Sequence, residues 1–153
     1  MSSEIATMLE NLDTVYRLYH QNILESIDEY IYKEERYENH FSVALIYSKK
    51  SLTSHVKELE KMIRKTDKLT FITDNVIFIV FDAIQVNNCV KAAQNLYKTL
   101  KSVEYHQDYF IATAFSEEFR ENYLIMINHL FYRLHYSVEH NCESDINDED
   151  YII

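Results

Sequence analysis

A chain of 153 residues, 47% hydrophobic and 26% charged, is long enough to bury one real core and too apolar to be disordered throughout. Its formal charge of -10 opposes a broad nucleic-acid surface, which needs clustered Lys and Arg, so no nucleic-acid partner is expected. The sequence contains no glycine, and that removes the Walker phosphate loop, the G-x-G-x-x-G dinucleotide turn and the G-x-S-x-G nucleophile elbow together.

Cys89 and Cys142 are too few for a disulfide framework, and no apolar run reaches the length of a membrane span. The opening "MSSEIATMLENLD" lacks a basic region followed by an apolar one, so no signal peptide is expected and a cytoplasmic location is. With 13 Tyr and 8 Phe, the core should be rich in aromatic rings.

From Ser3 to Tyr37, the residues Met8, Leu12, Val15, Ile23, Ile27 and Tyr30 recur in steps of three and four or their sums, the stripe of one long helix. That stripe can pack on its own domain or pair with a second chain. "FSVALIYS", Phe41 to Ser48, reads as a buried strand. Ser51 can cap a helix carrying Leu52, Val56, Leu59 and Ile63. Leu69 to Thr73 and Val76 to Phe81 read as two strands around an Asp74-Asn75 turn, which needs strained left-handed backbone in the absence of glycine. A helix starts at or near Asp82 and runs to about Val103, and Asp108 to Phe115 reads as a fourth strand. Ser116, followed by Glu117 and Glu118, reads as the cap of a last helix reaching Val138.

These elements give an α+β fold: a ferredoxin-like βαββαβ core with an antiparallel sheet, preceded by a long N-terminal helix and followed by a C-terminal one. The expected divisions are an N-terminal helix over 1–40, the domain over 41–138 and an acidic tail over 139–153.

On "FSVALIYS", "IRKTDKLTFITDNVIFIVF", "CVKAAQNLYKTL" and "NHLFYRLHYS", the chain from Phe41 to about His140 resembles a highly degenerate GGDEF domain, the diguanylate cyclase fold of bacterial signalling. Asp67 falls on the aspartate before the signature hairpin, and Thr73, Asp74, Asn75, Val76 and Ile77 fall on the G-G-D-E-F positions. The resemblance implies glycines that admit nucleotide to the turn, and acidic residues there and at the end of the first strand that hold divalent metals. This chain has Val76 at an acidic position and Tyr47 at the strand-end position. A valine offers no ligand, so the expectation is a protein that is not an enzyme, with no catalytic residues, metal or cofactor. The segment between first strand and hairpin is also shorter than the family's, which removes a region that helps bind guanine.

Arg64-Lys65-Thr66-Asp67 matches the family's R-x-x-D inhibitory site, and the resemblance implies binding of cyclic di-GMP, with the Arg on phosphate or a guanine edge and the Asp on guanine N–H groups. Asn95 stands where a further Arg often completes that site, with Lys91 and Lys98 a turn away on either side. An Arg and Asp at a helix end also pair for purely local reasons. The seven histidines are dispersed, and no C-x-x-C or H-x3-H spacing supports zinc. Cys89, among Val90, Ala92 and Ala93, reads as a small core residue, and Asp82, Glu104 and Asp108 read as caps. The functional expectation is a catalytically inactive signalling module that contacts a protein partner or a second copy through its N-terminal helix. The alternative is a cyclic di-GMP receptor using Arg64, Asp67, Lys91 and Lys98.

Overall fold

The computed structural model describes residues 2–141. Nine regular elements follow in order: α1 (Ser3–Ser26), α2 (Asp28–Tyr37), β1 (Ser42–Tyr47), α3 (Val56–Met62), β2 (Lys68–Thr73), β3 (Val76–Phe81), α4 (Val86–Val103), β4 (Phe110–Phe115) and α5 (Tyr123–Glu139). The sheet order is β2-β3-β1-β4 with every pair antiparallel. The α+β, ferredoxin-like arrangement expected from the sequence is the one observed. The acidic tail from residue 142 onward lies outside the described residues.

Strands β1, β3 and β4 are buried on both faces, which is why they read as nearly continuous apolar runs, interrupted only by Ser42 and Thr113, although the sheet is antiparallel. One face presents Val43, Leu45, Phe78, Val80 and Ala112 to α1, α2 and α5. The other presents Ala44, Ile46, Ile77, Ile79 and Ile111 to α3 and α4. Each fully buried Leu, Ile or Phe contributes on the order of 1.5–3 kcal/mol relative to exposure.

The N-terminal stripe is used inside the chain. Met8, Leu9, Leu12, Val15, Ile23 and Ile27 are buried, and α1 packs along α5. The helix is interrupted at Ile27, because the Ser26 hydroxyl donates to the Ile23 carbonyl (2.6 Å) and Ile27 N–H turns to Leu24 O (3.3 Å). That break lets α2 bend around the core.

The hairpin falls between Thr73 and Val76 as expected, but without the expected strain. Neither Asp74 nor Asn75 has positive φ. The register slips between Phe71 and Thr73, and Asn75 N–H donates to Thr73 Oγ1 (3.2 Å), so a bulge takes up what glycine would otherwise supply. Left-handed backbone appears instead at Glu38 (φ 55), Ala83 (φ 48) and Asn141 (φ 51). Glu38 ends α2, donating its N–H to Glu34 O (3.0 Å), the role glycine commonly fills.

Two helix starts differ from expectation. Ser116 opens a short 3-10 turn, Ser116–Phe119, and α5 begins only at Tyr123, capped by Asn122, whose side chain accepts from Leu124 N–H (3.0 Å). Ser116 has another partner: its hydroxyl donates to Glu34 and accepts from Phe41 N–H (2.9 Å). Likewise α4 begins at Val86, while Asp82 pairs with Lys33 (3.0 Å).

Glu34 is fully buried. Its carboxyl oxygens accept from Ser116 and Tyr123 hydroxyls and from His40 Nδ1 (2.9 Å). Burial first, and the Glu34 contact second, raise the Tyr123 phenol above its usual range, so it stays a donor. Removing such a carboxyl group orphans three partners. Glu34→Ala should lower the urea-unfolding free energy by roughly 3 kcal/mol, as for other broken buried polar networks, while Glu35→Ala on the exposed side should stay within about 0.5 kcal/mol. Equal effects from the two would remove Glu34 from this role.

His55 is buried with Nε2 2.5 Å from the Tyr109 hydroxyl, and desolvation holds its pKa below the ordinary 6.5. His129 is lowered by desolvation and then by Arg133. A folded pKa below the unfolded one means that the unfolded chain binds more protons as the pH falls through about 6.5, so stability drops on the acid side. The thermal midpoint should fall between about pH 6.5 and pH 5, with a shallower fall in His55→Gln. An unchanged slope in that variant would show that His55 is not the titrating group.

Candidate functional site

The R-x-x-D segment lies between the end of α3 and the start of β2. Asp67 N–H donates to Arg64 O (3.0 Å), closing a tight turn that brings the two side chains together. Asp67 Oδ2 accepts from Arg64 N–H (2.7 Å) and Nε (3.4 Å), and Oδ1 accepts from Arg64 Nη2 (3.2 Å) and Asp82 N–H (2.8 Å). The Asp67 side chain is only 2% exposed, so its acceptors are occupied within the fold.

Arg64 differs. Its Nη2 also donates to Asp82 O, which fixes the guanidinium against the end of β3, yet the side chain is 56% exposed. Asp67 therefore positions Arg64, and Arg64 presents charge to solvent. Helix α2 braces the same loop: Tyr30 donates to Thr66 O (2.9 Å) and Lys33 reaches Asp82 (3.0 Å).

Arg64 and Asp67 stand at one lip of a cavity of ≈ 550 Å³, whose far wall is the start of α4 with Asn88, Lys91 and Asn95. Ala83, one of the left-handed residues, turns the chain into this wall. Its φ costs on the order of 1–2 kcal/mol in a residue with a Cβ. Lys98 is exposed on the same face two turns beyond Lys91 and does not line the cavity.

The signature positions lie elsewhere, at the hairpin tip. Val76 and Ile77 are fully buried and Tyr47 is 1% exposed in the core shared with α1. The Asn75 amide donates to Ser48 O (3.0 Å) and Lys49 O (2.9 Å), tying the tip to the loop after β1. Thr73 accepts from the turn through Oγ1, and Asp74 O accepts from Leu52 N–H (2.7 Å). Cys89 is buried, and burial pushes its thiol up to about 11, which keeps it protonated as a packing residue.

No protein-family model and no curated protein matches the sequence. Among solved structures the chain is similar to a DGC protein from Thermotoga maritima, with 12% identity and a TM-score of 0.60 over 72% of this chain and 92% of that one. It is also similar to the GGDEF domain of the Pseudomonas aeruginosa protein TpbB, or YfiN, with 9% identity and a TM-score of 0.63 over 78% and 83%. The chain has a GGDEF-like fold.

That likeness overturns the expectation that the chain is not an enzyme, because the GGDEF-like scaffold it shares is the scaffold of a DGC protein. At such identities the shared property is the fold, and chemistry has to be read from this domain's own side chains. The divalent metals implied by the fold do not fit the residues at the corresponding positions. Val76 has no donor atom, the Asn75 amide already serves two carbonyls, and Tyr47 is enclosed by core side chains. Among the described residues, no group of three or more His, Cys, Asp or Glu is arranged to hold a metal ion.

Two features of the GGDEF-like domain escaped the sequence reading. Glu34 is one, although its place four residues after Tyr30 and seven after Ile27 puts it on the buried stripe. The other is a cavity of ≈ 480 Å³ between the first turn of α1 and the loop after β1, bridged by Glu4 and Lys49 at 2.9 Å. Gln107 is buried there and donates to Ser48 Oγ (2.8 Å), a contact with no local sequence signal.

Proposed function

We propose that this GGDEF-like domain is a cytoplasmic signalling or regulatory module that reads cyclic di-GMP at the lip formed by Arg64. The observation carrying this reading is an exposed guanidinium held rigidly by Asp67 and Asp82 beside a cavity with Lys91 opposite. Hydrogen bonds to Asp67 and Asp82 O use the Nε and Nη2 N–H groups of Arg64, which leaves two of its five N–H groups, both on Nη1, for a ligand. A pre-set cation of this kind suits a phosphate or a guanine edge, since little entropy is lost on binding. Asp67 then acts by holding Arg64, and Lys91 adds charge from α4.

Calorimetric titration with cyclic di-GMP should show micromolar binding, about -8 kcal/mol. Arg64→Ala should lose roughly tenfold or more, Lys91→Ala less, and Lys98→Ala little, since a hydrogen bond to a charged group contributes about 1.5–3 kcal/mol. Absence of heat from a folded protein at high ligand would discard the receptor reading. So would full binding by Arg64→Ala.

A second reading is contact with a protein partner or second copy through the N-terminal helices. It is favoured by Leu18, 57% exposed on the outer side of α1, and by Tyr32 and Tyr37 on α2, exposed and in edge contact at 6.4 Å. Light scattering should then give the mass of two chains, reverting to one in Leu18→Glu. A single-chain mass at every concentration would discard the homodimer.

A further inference from the structure

The cavity at the Arg64 lip contains an acid that a ligand cannot use. Among its described lining residues Asp67 is the sole acid. Its two oxygens already accept from Arg64 N–H, Nε and Nη2 and from Asp82 N–H, which fills the roughly four lone-pair sites of an ionised carboxyl group. With its side chain only 2% exposed, Asp67 stays committed to the protein. Guanine is marked by N1–H and a 2-amino group, donors that call for a free carboxylate, and no described lining residue supplies one.

The opposite wall is built from amides. Asn88, Lys91 and Asn95 are three and four residues apart, so α4 turns all three to the same side, and Gln85 stands just before its first turn. The carboxamides of Gln85, Asn88 and Asn95 are exposed and make no hydrogen bond among the described residues, and Lys91 makes no ion pair there. A carboxamide sets an acceptor beside a donor. On adenine that pair meets the 6-amino group and N7 together, the bidentate contact by which Asn and Gln read this base. On guanine the same amide joins O6 and N1–H but leaves the 2-amino group without an acceptor, and an unpaired donor at a desolvated contact opposes binding. Arg64 and Lys91, one on each wall, match the two phosphodiester charges of a cyclic dinucleotide, and ≈ 550 Å³ is within the ordinary range of ligand pockets.

We propose that the α4 wall selects adenine: Asn88 and Asn95 each take a base edge, Arg64 and Lys91 hold the phosphates, and an adenine-containing cyclic dinucleotide binds more tightly than cyclic di-GMP. The two asparagines are about 10 Å apart along the helix, too far for one base edge and suited to two bases. This inference rests on the receptor reading above and narrows its ligand.

Calorimetric titration of the full chain with cyclic di-AMP, cyclic GMP-AMP and cyclic di-GMP is the test. Cyclic di-AMP should bind about tenfold more tightly than cyclic di-GMP, with the mixed ligand between them. Asn88→Ala/Asn95→Ala should remove that difference with the thermal midpoint unchanged, because both side chains are exposed. Asn95→Asp provides a carboxylate that accepts from guanine and cannot donate to adenine N7, so its preference should shift toward cyclic di-GMP. Equal affinity for the three ligands in the native chain, or tighter binding of cyclic di-GMP, would overturn the adenine assignment and leave the receptor reading standing. An adenine preference that survives in both variants would overturn it as well, by placing the bases elsewhere. Absence of heat with all three ligands would discard the receptor reading and this inference together.

Discussion

One buried carboxyl group joins four separate parts of this fold. Glu34 projects from α2 and accepts from Ser116 at the end of β4, Tyr123 at the start of α5, and His40 in the approach to β1. The same Ser116 pairs with Phe41, N–H to Oγ and N–H to O, both at 2.9 Å, extending the β1–β4 ladder by one rung. An apolar side chain would fill the space but would not fix the direction from which each element arrives, whereas three donors converging on one carboxyl group do.

A second carboxyl group, Asp67, plays a comparable part in the turn before β2. It gathers Arg64 and the end of β3, and α2 reaches the same region through Tyr30 and Lys33. Helix α2 thus makes polar contacts in two directions from Tyr30, Lys33 and Glu34, after the chain breaks at Ile27. The cationic lip and the acid that sustains it are consequently tied to the main chain just after β3, through the C=O and N–H of Asp82.

Much of the architecture was legible in the sequence because burial on both sheet faces leaves short, nearly pure apolar runs with polar punctuation. The hairpin limits at Thr73 and Val76 were readable from Asp74 and Asn75, and the α1 stripe from its spacing. Helix starts were misread where a polar residue suited to capping had been recruited from far away. Ser116 looks like a cap followed by two acids, but its partner Glu34 is 82 positions earlier, and the Lys33 partner of Asp82 is 49 positions earlier. Local pattern carries no information about such pairs. The same limit separates the two halves of the candidate site: the Arg64 and Asp67 spacing is visible, while the opposing wall of α4 depends on the path through Ala83. The inference from missing catalytic letters to a non-enzyme went too far, since the matched structures include a DGC protein on this scaffold.

The sheet is sandwiched between two helical layers, and this decides where main chain remains open to other molecules. With both faces covered, the edges of the described sheet are β2 and β4, whose outer rims carry main-chain groups that the ladder itself does not pair. The two rims are not alike. Strand β4 is buried throughout, whereas every residue of β2 retains partial solvent contact, and Lys68, Thr70 and Thr73 are interspersed among Leu69, Phe71 and Ile72. Strand addition to this protein, whether by a binding peptide or by runaway association of misfolded copies, is therefore directed to one side of the molecule, the rim carrying Lys68, Thr70 and the bulge before Thr73.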